Sequence, residues 1–220
     1  MPRARKALGR VGLVELIQFA QRNYSMLLRA LSEHVQMVLV ALILSVLLAG
    51  LLTVVAMFFK RIGMFLTYLF SIVYSIPSIA LFALMIPVPG MGLGRNTAIT
   101  VLVLYNQFIL LRNFITGLNG VDHAVVEAAT GMGMTQAQLI FKVRVPLSLK
   151  PIFVGIRLAL VSTIAIAVIA AFIGAGGIGL LITIGLETGN NNRILWGVLL
   201  SAGLGIITNA VLVFVEKRMR

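Results

Sequence analysis

Glu127-Ala128-Ala129, then Gly131, Gly133 and Met134, then Val143-Arg144-Val145-Pro146 make a polar, glycine-punctuated run of helix formers between two long apolar stretches. A chain needs no such insert to cross a bilayer. Asp122 suits a helix N-cap, where its side-chain oxygen accepts a backbone N–H, and Thr135 with Gln138 reads as a capping box opening a second short helix. Gly131 and Gly133 interrupt the pattern, and Pro146 and Pro151 mark breaks before the apolar run resumes. The product is a helix–turn–helix of about one to two turns on each side, too short to be stable alone and in want of a docking groove. Its chemistry is recognition of another protein.

Covalent chemistry finds no residues to carry it. The sequence has no cysteine, so disulfides, thiol catalysis and cysteine metal sites are excluded. It has no HExxH, no aspartate pair within an apolar run and no GxS motif with a matching histidine, which argues against an intramembrane enzyme. No GxxxxGK[ST] is present to cradle nucleotide phosphates. His34 and His123 are too few and too scattered for a metal site. A self-sufficient secondary transporter would show an internal repeat and buried ionisable groups, and neither is visible. The polar residues inside apolar runs are Tyr74, Ser75, Asn106, Gln107, Ser162 and Thr163, with Pro77 beside the first two. Two readings stand for them: they line a solute path, or they bond a neighbouring helix and, at Pro77, simply kink one.

These residues must be held by membrane elements. The sequence is 60% hydrophobic and only 11% charged, with a mean hydropathy of +1.07, more apolar surface than a soluble fold of this size can hide. A bilayer core of about 30 Å takes roughly 20 apolar residues. Residues 35–59, 62–86, 97–118, about 151–173 and 194–215 meet that requirement. The run 152–186 as one helix would reach roughly 50 Å at about 1.5 Å per residue, so it must break, and Gly174-Ala175-Gly176-Gly177-Ile178-Gly179 is the place. That loop is equally a plain helix break or a gate. A short helix over 178–187 follows it, dipping in or lying at the surface. The layout is therefore 1–34, a basic extension ending in an amphipathic helix over 11–32 that lies on the membrane; 35–216, the membrane domain with the polar insert at 119–150; and 217–220, a basic tail.

The 18 Lys and Arg against 6 Asp and Glu give a formal charge of +12. They sit in short clusters between apolar runs, which fits loop retention and anionic headgroups and excludes a nucleic-acid face. Lys60-Arg61, the insert with Lys142, Arg144 and Lys150, and the tail place these loops in the cytoplasm. Loops 87–96 and 174–193 then face out. The N-terminus also falls outside, where its six basic residues against two acids break the rule; either the amphipathic helix holds it at the outer surface, the preferred reading, or residues 11–34 partly cross. Arg157 is expected to snorkel to the inner interface, and the aromatic residues, one Trp and four Tyr among them, suggest no cage for a quaternary ammonium group.

The Glu127, Gly133 and Pro146 spacing resembles the EAA loop of ABC importer permeases, with Val143 and Val145 where Ile and Leu are usual. The segments EAATGMGMTQAQLIFKVRVPLSLKPIFVGIR, IPSIALFALMIPVPGMG, LRNFITGLNGVD and AAFIGAGGIG look like the glycine betaine/carnitine/choline branch, over roughly residues 30–216. The resemblance implies an all-α integral membrane protein of about five transmembrane helices with the type I importer permease (MetI-like) fold. It implies a coupling helix around 122–134 seated in an ATPase subunit, with Glu127, Ala128, Ala129, Gly131, Gly133, Met134 and Pro146 carrying the contact. Partners would be ABC ATPase subunits that bind the ATP and Mg, a second permease (a copy or a sister), an extracytoplasmic binding protein and the bilayer of a prokaryotic cell. This chain would hold no cofactor and no metal. The solute would be a quaternary ammonium osmoprotectant, or alternatively an amino acid or related compound.

Overall fold

A computed structural model describes residues 12–218, so the basic head at 1–11 and the end of the tail at 219–220 lie outside the described residues. The described chain is helical. In order, α1 is Leu13–Phe58, α2 Lys60–Ser75, α3 Ser78–Met85, α4 Arg95–Asn119 and α5 His123–Gly131. Then come α6 Gln136–Gln138, a π-helical turn Leu139–Arg144, α7 Val145–Leu147, α8 Leu149–Ile169 with a 3-10 extension Ala170–Ile173, α9 Ile178–Thr188 and α10 Asn191–Arg218. Among the described residues four helices are long and apolar enough to cross a membrane, and the bent pair α2–α3, counted as one broken span, brings the number to the expected five.

The amphipathic helix expected over 11–32 meets the first span across a kink that lies earlier than the expected boundary: α1, 46 residues long, is two helices joined at Asn23, whose φ −123° and ψ 21° are non-helical. The Asn23 amide donates to the Phe19 carbonyl at 2.9 Å, a side-chain bond within the bend. Gln18, Gln21 and Arg22, whose polarity argued for a surface helix, are indeed exposed. The opposite face packs: Leu27 and Ala30 meet Leu181, Trp196 and Leu200 of α9 and α10. The Trp196 indole donates to the Leu16 carbonyl at 2.9 Å, so the start of α1 lies beside the 188–193 loop, on the side poor in basic residues.

Three helices form the centre: α1, α4 and α8. The buried stripe of α1 includes Ala41, Ser45, Ala49, Thr53 and Ala56 at helical spacing, small residues that let backbones approach, as in membrane helix packing. Phe82, Val101, Leu102, Leu110 and Leu111 fill the space around it. The pair α2–α3 lies against α1 and α4; the hairpin α9–α10 lies against α1 and α8.

Pro77 does more than kink its span. Ile76 and Pro77 are extended (ψ 130° and 134°), and α3 leaves α2 at 100°. A proline lacks the N–H that would continue the ladder, and the Ile76 carbonyl, without a helical partner where the chain is extended, accepts the Tyr105 hydroxyl. The glycine run breaks the chain as expected: Gly174, Gly176 and Gly177 all have positive φ, and the Gly177 N–H donates to the Glu33 carboxylate at 3.3 Å. Helix α9, whose placement was open, packs on α1 and α10 with Leu181 buried. Arg157 does not snorkel freely; it pairs with Glu216 of α10 at 3.4 Å, a charge contact between two largely covered side chains. Pro151 sits in the first turn of α8 without breaking it, because a first-turn N–H has no partner to lose.

At Gly179 the α9 start passes so close to α8 that a Cβ would overlap the Val168 carbonyl. Gly179→Ala is expected to cost about 1–3 kcal/mol of overpacking, read as a lower thermal midpoint in detergent. Gly203→Ala, inside α10 with open space at its Cβ, should not lower the midpoint and, by helix propensity, should raise it slightly.

Candidate functional site

The insert folds as a braced knob. Asp122 caps α5 by accepting the Ala124 N–H at 2.9 Å. One turn on, His123 Nδ1 lies 3.3 Å from Glu127 Oε1 on an exposed flank. The end of α5 closes in a Schellman turn: Met134 N donates to the Ala129 carbonyl at 3.2 Å and Gly133 N to Thr130 at 2.9 Å. The turn places Gly133 in the left-handed region at φ 79°, which only glycine enters without cost. Gly131, expected to interrupt as well, stays helical as the last residue of α5. Ala129 is buried, while Ala128 and Met132 are exposed, Met132 at 75%. A large apolar side chain at the tip of a polar knob is a contact surface that spacing alone did not single out.

The capping box of α6 forms in both directions, Gln138 N to Thr135 Oγ1 at 3.3 Å and Thr135 N to Gln138 Oε1 at 2.9 Å. Beyond it the chain does not break at Pro146 as expected. It winds through the π-helical turn into α7, where proline stands in the first turn. Ser148 (φ −104°, ψ 9°) makes the real corner before α8.

Three side chains tie this segment to the membrane helices. Gln136 donates to the Met57 carbonyl at the end of α1, at 2.9 Å. Arg144 Nη1 donates to the Leu118 carbonyl at 2.9 Å and Asn119 Oδ1 at 3.3 Å, capping the C-terminus of α4. A cation there satisfies orphan carbonyls and complements the helix dipole. Ser148 Oγ donates to the Gly117 carbonyl at 2.8 Å, possible because Gly117 lets Pro151 come within 2.9 Å of where a Cβ would stand. Sequence reasoning used Arg144 only as an inner charge and passed over Gln136 and Ser148. Nothing in their spacing marks them, since each partner is distant in sequence.

The residues proposed to line a path divide. Asn106, Gln107 and Thr163 are buried in the α1–α4–α8 centre. The Asn106 amide donates to Ser45 Oγ at 3.1 Å and Thr163 Oγ1 at 2.9 Å, and Gln107 Nε2 to the Val103 and Ser45 carbonyls at 3.1 and 3.3 Å. The bonds to Ser45 and Thr163 join α4 to α1 and α8, while the bond to Val103 lies within α4. Ser162 is half-buried on α8, and Tyr74, Ser75 and Pro77 are exposed at the broken span. Below that break, a cleft of about 720 Å³ opens at the end of the bundle that carries Lys60 and Arg144, between α1, α2, α4 and the braced segment, with Met57, Thr67, Tyr68 and Ser71 also on its wall.

Residues 41–220 match the family of binding-protein-dependent transport system inner membrane components. The choline transport system permease protein OpuBB of Bacillus subtilis (strain 168) is 35% identical over 93% of this chain and 93% of its own length. The carnitine transport permease protein OpuCD of Listeria monocytogenes serotype 1/2a (strain 10403S) is 34% identical over 94% and 92%. The permease fold of the MetNI methionine ABC transporter in an inward-facing conformation superposes with a TM-score of 0.79 at 20% identity, covering 89% of this chain and 97% of that one.

Removing the Arg144 brace should loosen the knob while leaving the spans intact. Arg144→Ala is expected to lose about 1.5–3 kcal/mol of charge-assisted hydrogen bonding, seen as faster hydrogen–deuterium exchange across residues 123–147. Lys142→Ala, exposed on the same segment, should leave that exchange unchanged.

Proposed function

Because the chain belongs to the family of binding-protein-dependent transport system inner membrane components, a multi-pass membrane permease subunit and not itself an enzyme, we propose that it moves small quaternary ammonium solutes inward under the drive of separate ABC ATPase subunits. The observation that supports the coupling part is the braced knob: α5 is capped at both ends, and the segment that follows it is tied to α1 by Gln136 and to α4 by Arg144. The substrate class rests on relatives named for choline and carnitine transport at about a third identity over nearly the whole chain.

In this reading α5 is the coupling helix. Ala128 and Met132 form the surface that meets the ATPase groove, and Glu127, paired with His123, offers a carboxylate at its rim. Gly133 sets the turn, Met134 closes it, and Pro146 starts the turn that leads back into the membrane. ATP and Mg belong to the ATPase subunits. Closure of two ATPases would push two such knobs together, one from this chain and one from a second permease, either a copy or a sister. An extracytoplasmic binding protein would deliver the solute to the outer side. A short helix can transmit such a push because the bonds of the segment that follows it pass the load into α1 and α4.

Glu127→Lys and Gly133→Asp should abolish uptake while the protein stays in the membrane. Labelled choline uptake in vesicles, run beside ATPase pull-down, checks this. Unchanged uptake with unchanged pull-down would remove the coupling role from this loop.

A further inference from the structure

The face of α2 that lines the inner cleft continues beyond it. Met64, Thr67, Tyr68 and Ser71 stand on the cleft wall, and the same helical spacing leads on to Tyr74 and Ser75, where α2 ends. Thr67, Ser71 and Ser75 turn their hydroxyls to their own helix's carbonyls at 2.7–2.9 Å. That leaves a weakly polar stripe crossed by the two exposed rings of Tyr68 and Tyr74. The 16 residues of α2 rise about 24 Å, so Tyr74 sits in the outer part of a bilayer core of about 30 Å.

Three aromatic rings meet there. The Tyr74 centroid lies 5.7 Å from Tyr105 at 67° and 4.8 Å from Phe108 at 31°. Tyr105 is buried, and its hydroxyl is fixed on the Ile76 carbonyl at the helix break. It therefore holds the corner at which Tyr74 stands. Tyr74 itself is 38% exposed. Between Glu33 and Asp122 the sequence has no Asp or Glu, so a cation passing this stretch meets no carboxylate from it. A quaternary ammonium group carries no N–H and cannot use hydrogen-bond acceptors; it gives up water most cheaply against aromatic faces.

We propose that Tyr74, backed by Phe108 and Tyr105 at the break between α2 and α3, is a transit contact for the ammonium head of the solute, and that the α2 stripe below it leads to the inner cleft. This inference rests on the substrate class proposed above. A single exposed ring with two behind it makes a weak site, as transit demands; a full cage would hold the solute. Tyrosines facing lipid alone would give a transport rate indifferent to the ring at 74.

The test is ATP-driven uptake of radiolabelled choline into proteoliposomes holding the complete transporter and its binding protein. Tyr74→Leu is expected to reduce uptake about tenfold, the size of one partly desolvated cation–π contact. Tyr74→Phe should stay near the parent rate, and stepwise fluorination of a phenylalanine at 74 should lower it in steps, which a purely structural ring would not do. If Tyr74→Leu does not assemble, Phe108→Leu against Phe108→Tyr carries the same comparison. Parent-like uptake by Tyr74→Leu, or equal losses in Tyr74→Leu and Tyr74→Phe, would overturn the aromatic contact while leaving the substrate class standing. A parent transporter that moves no choline, carnitine or glycine betaine would overturn both.

Discussion

A helix of nine residues, His123–Gly131, has too few backbone bonds to hold its shape in water. Any role it plays depends on what fixes it from outside. Arg144 supplies the decisive contact. Its guanidinium reaches back to the Leu118 carbonyl and the Asn119 amide oxygen at the end of α4, so the segment leaving that helix is tied to the point it left. Ser148 on Gly117 and Gln136 on Met57 complete the tie. The segment that follows α5 is thereby fastened to the ends of two membrane helices.

Those two helices belong to a centre built to move as one piece. Asn106 bridges Ser45 of α1 and Thr163 of α8 from its position on α4. In hydrocarbon the alternative to such bonds is an unsatisfied amide, so the three helices gain by staying in register. The neighbours of Asn106 turn the other way. Tyr105 and Phe108 face the broken span, giving α4 a polar seam toward α1 and α8 and an aromatic side toward α2. One helix thus holds the core together on one side and receives the Pro77 break on the other.

How far the sequence disclosed this depends on the range of the interactions. Local signals were reliable: Asp122 as a cap, the Thr135–Gln138 box, Gly133 at a left-handed turn and the glycine break at 174–179 all follow from bonds between near neighbours. Signals that weigh burial against polarity placed a boundary less well. Gln18, Gln21 and Arg22 made 11–32 read as a separate amphipathic helix; the kink comes at Asn23, and Leu27 and Ala30 beyond it pack on α9 and α10 as part of the longer helix. Pro146 read as a stop, but in a first turn its missing N–H costs nothing, so it reads equally well as a start. The braces were illegible because Arg144, Gln136 and Ser148 each bond a carbonyl far away in the chain, and a carbonyl carries no sequence signature. Pro77 announced a bend, but not that the Ile76 carbonyl beside it would find the Tyr105 hydroxyl.

The unequal anchoring of the spans has a mechanical consequence. The braces of the knob end on α1 and α4, and none of them ends on α2. Helix α2 buries only Gly63 and Phe70, whereas α4 buries residues along its whole length. Its close contact with α1 is Gly63 against Ala56, where a Cβ would come within 2.9 Å, and its upper end is held through Tyr105. A load applied at α5 therefore reaches the locked core directly and α2 only through these side contacts. The cleft of about 720 Å³ lies along that division, with Gln136 and Arg144 on one wall and Lys60, Thr67 and Ser71 on the other. A force that shifts the core relative to the lower part of α2 changes the width of this opening before it disturbs the bonds of Asn106 and Gln107, because those bonds lie wholly on one side of it.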